Sequence, residues 1–224
     1  MLKPRKRLTK KQIKEDKLVT YYFKAIDYIN ENSKIVFGII IGIIAIVALL
    51  YMYSWSKENA EMSASLELTK AREELKNTQP ERATDILRSM INNYSGTKSA
   101  GRGVYHLANI MYSQSNYDEA FNYYKKYIDD YNDDPILASS SYSGMGACME
   151  QKEEFLKAAE YYKKGAQKFS KNFEAPRQLM AAARCYKLAN NRAEAEKMYQ
   201  KVIDKYPDSA QKRDAELFLS ELQG

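Results

Sequence analysis

Residues 117–131 read YDEAFNYYKKYIDDY, and close variants return as EFLKAAEYYKKGAQKF at 154–169 and RAEAEKMYQKVIDKY at 192–206. Aligning the chain on this segment exposes columns. A small residue stands at Ala83, Ala120, Ala158 and Ala195, at steps of 37, 38 and 37 residues. Twelve positions before each comes another small residue, Ala71, Ala108, Gly146 and Ala183. Four positions after each alanine stands a large one, Leu87, Tyr124, Tyr162 and Tyr199, and eleven after it an aromatic, Tyr94, Tyr131, Phe169 and Tyr206. Residues at +4, +8 and +11 trace one stripe of a helix. Short polar turns (NTQPER, SQSNYD, EQKEEF, ANNRAE) separate the two small columns, so each unit is a helix–turn–helix. A unit of that kind cannot bury its apolar face alone, and stacking several buries a continuous core.

The columns resemble the tetratricopeptide repeat family. The paired small residues twelve apart, the aromatic four after the second and the ending Pro207-Asp208 match its pattern. LANIMYSQSNYDEAFNYYKKYI (107–128) is the clearest copy and AARCYKLANNRAEAEKMYQKVIDKYPDS (182–209) the next. The first copy departs most, with Lys70 and Glu74 where the others carry mostly apolar residues. The resemblance covers residues 58–222 and implies an α-solenoid of about four repeats, with SAQKRDAELFLSEL (209–222) as a solvent-facing capping helix.

Ahead of the repeats, residues 35–53 (IVFGIIIGIIAIVALLYMY) hold 19 positions without a charge. That length predicts a transmembrane helix over 35–54. A cleaved signal peptide fits less well, because its apolar core is about 7–15 residues and its leader is short. Residues 1–34 carry ten Lys/Arg against four Asp/Glu, an excess equal to the net charge of +6 for the whole chain. The high pI therefore belongs to a tail and argues against a nucleic-acid-binding body. Positive charge before the span places the N-terminus in the cytoplasm and residues 58–222 outside it, a single-pass protein of the inner (plasma) membrane with a periplasmic body. Tyr51, Tyr53 and Trp55 would sit at the outer interface. Two readings of the leader stand side by side. Thr9-x-x-Gln12 is a capping-box pattern, and Leu18, Tyr22, Ile26 and Ile29 fall at helical spacing, which suits an amphipathic helix on membrane lipid. The other reading is a basic, partly disordered topogenic leader. Gly38 and Gly42 form a GxxxG pair through which two helices would pack as a homodimer. The expected fold is all-α: leader, transmembrane helix, solenoid and cap.

No nucleotide loop, nucleophile elbow or metal-ligand cluster occurs in the sequence, so no catalytic residue, metal or cofactor is assigned. Cys148 and Cys185 lack a CxxC or His neighbour and read as small buried residues. His106, the single histidine, has no triad or ligand set in the sequence and reads as structural. First helices line the concave face of a solenoid. In this repeat type the resemblance puts Arg102, Tyr105, Asn109 and Tyr112 there, with Ser140, Ser143 and Glu150, then Arg177, Met180, Arg184 and Lys187. Tyrosine and arginine suit an extended polypeptide. The heat-shock carboxylate clamp of the family is disfavoured, because Tyr105 and Gly144 stand where clamp residues belong. The whole plan resembles the ancillary Sec translocon subunit type of bacterial inner-membrane protein. That resemblance implies a scaffold binding translocon subunits, exported polypeptides or periplasmic chaperones, and the alternative is a self-associating structural membrane protein.

Overall fold

The computed structural model describes residues 17–223, and among these every regular element is helical. The capping box at Thr9 and Gln12 and the basic residues before Lys17 lie outside the described residues. The chain divides into two compact units, the second beginning at Lys57.

The first unit holds α1 (Lys17–Glu31) and the opening part of α2 (Ser33–Lys76). Tyr22 and Ile29 of α1 are exposed, and Ile26 is half-buried. From Ile35 to Trp55 the large apolar side chains of α2 are exposed as well, apart from the half-buried Val36. This segment is long and apolar enough to cross a membrane, and among the described residues none buries it. Helix α2 continues through Ser54–Ser56 without a break. Beyond that point it turns Ala64, Leu68 and Ala71 into the core of the second unit.

The second unit continues with α3 (Pro80–Asn93), α4 (Lys98–Ser113) and α5 (Tyr117–Lys126), the last running into a π-helical turn at Tyr127–Tyr131. After it come α6 (Pro135–Gln151), α7 (Phe155–Lys168), α8 (Ala175–Leu188), α9 (Arg192–Lys205) and the closing α10 (Lys212–Gln223). Both small columns are buried throughout, and Ala71, Ala83, Ala108, Ala120, Ala158, Ala183 and Ala195 are all 0% exposed. The large +4 residues Leu87, Tyr124, Tyr162 and Tyr199 are buried on them. The fit is tight: a Cβ added at Gly146 would come within 2.9 Å of the Tyr162 ring. The closing helix starts at Lys212 rather than Ser209, because Ser209–Gln211 form a turn in which Ser209 N–H donates to Tyr206 O.

The turn inside each unit is built the same way four times. Thr78, Ser115, Glu153 and Asn190 all have positive φ, between 57° and 62°. The next residue's N–H reaches back five positions, as in Asn116 to Met111 O at 2.9 Å and Asn191 to Tyr186 O at 2.8 Å. This is a Schellman closure, which satisfies the last carbonyls of the first helix. The 38-residue step has its own cause. An extra residue is taken up in the π-helical turn, where Asn132 N–H donates to Tyr127 O at 2.9 Å, and the column resumes in register beyond it. Between the first two units, the Glu61 carboxylate meets the start of α4. It accepts from Lys98 N–H (2.7 Å), Ser99 N–H (3.1 Å) and Ser99 Oγ–H (2.6 Å). An anion at a helix N-terminus is favoured by the unpaired amides and the helix dipole.

Two substitutions test this construction by chemical denaturation. Ala120→Leu overpacks a fully buried contact and is expected to destabilise by about 1–3 kcal/mol. Thr78→Gly relieves a β-branched residue held at positive φ. It is expected to stabilise by roughly 0.5–1 kcal/mol, the left-handed penalty less the backbone entropy of glycine.

Candidate functional site

Successive first helices approach one another, α4 with α6 and α6 with α8, whereas successive second helices make no comparable layer. This places the first helices on the inside of the curve, and between α4 and α10 they enclose an open groove of about 810 Å³. Tyr105, Ser140, Ser143, Arg177, Met180, Arg184 and Lys187 line it, all residues expected on the concave face. Arg102, Asn109 and Tyr112 are not among its lining residues. Arg102 is exposed on α4, and Tyr112 packs edge-on against Tyr117 with ring centroids 5.5 Å apart. Asn109 is occupied internally, its Oδ1 accepting from Tyr124 Oη at 2.6 Å.

The groove also holds residues that the column reading assigned to packing alone. Tyr124, Tyr162 and Tyr199 project from second helices, and Phe218 comes from the closing helix. Two of these rings, Tyr124 and Tyr162, pack where α6 carries glycine. Gly144 faces the Tyr124 ring so closely that a Cβ there would overlap it, and Gly146 faces Tyr162. Tyr105 packs edge-on against Tyr124 at 5.9 Å, and Tyr199 lies 5.8 Å from Phe218. The result is an aromatic floor running from α4 to α10. The signal was present as glycine in α6 one residue either side of Met145, but the ring each glycine admits lies on another helix.

The charged wall is largely self-satisfied. Arg184 pairs with Glu150 at 2.8 Å, and Tyr162 Oη donates to the same carboxylate at 3.1 Å. Burial, then the charge of Glu150, raises the Tyr162 phenol above its usual range, so it remains a donor. Arg177 pairs with Glu174 at 3.3 Å. Lys187 has no ion-pair partner among the described residues. Gln178 ties α8 to α6 beneath the groove, its Nε2 donating to Ser139 O (2.9 Å), Ser139 Oγ (3.0 Å) and Ser143 Oγ (2.8 Å).

No cysteine or histidine side chain is among the residues that line the groove. Among the described residues no cluster of His, Cys, Asp or Glu is placed to hold a metal ion. His106 is partly buried, and desolvation, then the charge of Arg72, holds its pKa below the usual value. Cys148 and Cys185 are fully buried free thiols at equivalent positions of α6 and α8. Burial pushes both up to about 12, helped by Asp118 at Cys148 and Glu150 at Cys185.

A family model described as a tetratricopeptide repeat-like domain matches residues 27–138, half of the chain, and one described as a tetratricopeptide repeat matches residues 179–209. A tetratricopeptide repeat protein from Parabacteroides merdae ATCC 43184 superposes with a TM-score of 0.58 at 16% identity, over 73% of this chain and 61% of that one. The chain thus spans less than two thirds of that structure's length. MamA from residue 41 onward, of Desulfovibrio magneticus RS-1, superposes with a TM-score of 0.54 at 13% identity, over 71% of this chain and 90% of that one. At such identities the likeness is one of fold. No curated protein sequence matches the chain.

The packing under the groove is testable through its thiols. Neither Cys148 nor Cys185 is expected to react with Ellman's reagent at pH 8 in the folded protein, and both are expected to react fully in denaturant. Fast labelling of either thiol in the native state would show that the floor opens.

Proposed function

The chain belongs to the tetratricopeptide repeat-like domain family, and we propose that it is a membrane-anchored scaffold whose repeat domain holds extended polypeptides in its groove. The observation that carries this reading is the aromatic floor, a row of ring faces and hydroxyls beside Lys187 and the paired arginines. Tyrosine supplies large contact area with few rotatable bonds, which suits ligands of varied sequence. Met180 adds an adaptable apolar contact. Tyr105, Arg177, Met180, Arg184 and Lys187 make the primary contacts, and Arg102, Asn109 and Tyr112 extend the same helix face beyond the groove.

The span at residues 35–54 anchors the chain in the inner membrane, with the basic leader in the cytoplasm and the repeats outside it. The asymmetry of positive charge supports this orientation. In that compartment the ligands are translocon subunits, exported chains or periplasmic chaperones, and the scaffold assists export or envelope assembly. Binding is non-catalytic and needs no cofactor. A second reading, self-association through the membrane helix, is favoured by the GxxxG spacing of Gly38 and Gly42, which lets two helices approach closely.

In-cell photocrosslinking separates the two. Crosslinkers at Tyr105, Met180 and Lys187 are expected to capture secretion-channel subunits, exported chains or chaperones, with little capture from Lys197 on a second helix. Self-crosslinks alone, abolished by Gly38→Leu or Gly42→Leu, would overturn the scaffold reading in favour of the structural oligomer.

A further inference from the structure

First and second helices alternate in direction, so the connections 94–97, 132–134, 169–174 and 206–211 all lie at one end of the stack. Glu61 touches the start of α4 at that same end. Lys57, where the repeat unit begins, is one helical turn earlier. The apolar run of α2 stops only a few residues before it in sequence.

This end carries a patch that the groove does not explain. Phe173 is 71% exposed in the connection 169–174, and Ile136 at the start of α6 is 52% exposed. They flank an open hollow of about 660 Å³, with Lys168 and Lys171 at its rim and no acidic residue in its lining. Phe173 also borders a second hollow, which contains Lys205 and Asp208. Lys164 and Lys168 reach over the Tyr142 ring at 5.5 and 5.7 Å. Among the described residues none of Lys164, Lys168, Lys171 and Lys205 is in an ion pair. Of the acids at this end, Glu174 pairs with Arg177, Asp134 accepts from the first amides of α6 and Asp133 accepts from Tyr127 Oη, while Asp208 shares the second hollow with Lys205.

We infer that this loop end is a membrane-docking surface for anionic phospholipid, with Phe173 and Ile136 entering the interface and the four lysines meeting phosphate groups. The inference rests on the proposed membrane anchoring of the chain. Three features select a bilayer over a protein. Phe173 and Ile136 are largely exposed, and the hollow they line is open to solvent. The lysines around them are unneutralised, so the patch complements a negative surface. An apolar residue within a basic rim is the pattern of interfacial binding, where burial at the acyl boundary and attraction to headgroups act together.

The test uses the full chain reconstituted in vesicles containing lipid brominated at shallow acyl positions, with tryptophan fluorescence as the readout. The native Trp55 reports the anchor. A Trp55→Phe, Phe173→Trp chain reports the loop end, at a site exposed enough to tolerate the larger ring. The F173W indole is expected to be quenched in equimolar phosphatidylglycerol and phosphatidylcholine. That quenching should fall in phosphatidylcholine alone or in high salt, and be lost when Lys168→Glu and Lys171→Glu are added. Quenching of Trp55 without quenching of F173W overturns the docking surface and leaves the anchor standing, with the patch then free for a protein partner. Quenching of neither overturns both.

Discussion

Each helix pair of the repeat unit closes on two side chains too small to hold the helices apart: Ala71 with Ala83, Ala108 with Ala120, Gly146 with Ala158, Ala183 with Ala195. With the backbones this close, a large side chain one turn further on must find room across the interface, and Leu87, Tyr124, Tyr162 and Tyr199 do so. Everything else is set by that spacing. The four identical turns hold the two small columns in phase, even at the expense of positive φ on threonine, serine and glutamate. Where the chain carries one residue too many, the π-helical turn at Tyr127–Tyr131 takes it up, and the packing beyond is undisturbed.

The same crowding makes the groove. Tyr124 reaches the inner face against Gly144 of the next unit and Tyr162 against Gly146 of its own, so core packing and groove lining share side chains. This bears on how a groove ligand is recognised. With Arg184 held by Glu150 and Arg177 by Glu174, little uncompensated charge faces inward. Selection then falls to ring faces, hydroxyls and shape, and an acidic ligand would have to compete with carboxylates already seated there. Among the described residues Lys187 is left unpaired in the groove, and Lys164, Lys168, Lys171 and Lys205 are without an ion pair at the loop end, so the groove is mainly aromatic and the loop end mainly basic.

Much of the fold was legible because its determinants recur along the chain. The small columns, the aromatic columns and the polar turns repeat at a near-constant step: the small residues and the large ones four after them are buried, the aromatics eleven after them are half-buried, and the turns fall where the period put them. What stayed hidden depends on partners one unit away. Gln178 joins Ser139 across 39 residues, Arg184 joins Glu150 across 34 and Glu61 meets Ser99 across 38, and no local pattern marks such pairs. The expected site suffers most from this. Asn109 looked free on α4 but is occupied by Tyr124, and Phe218 looked like part of a solvent-facing cap but helps to close the groove. The positive-φ turn residues were also unmarked, since only Asn190 among the four is a residue that readily adopts that conformation.

The grip of Glu61 on α4 has a mechanical meaning. Tension on the chain ahead of Lys57 reaches the repeats along α2, and the first contact it meets is one carboxylate holding two amides and a hydroxyl on the next unit. Those bonds share the load in parallel rather than yielding one after another. The first helix of the repeat unit is thereby braced at its start against peeling from the unit that follows.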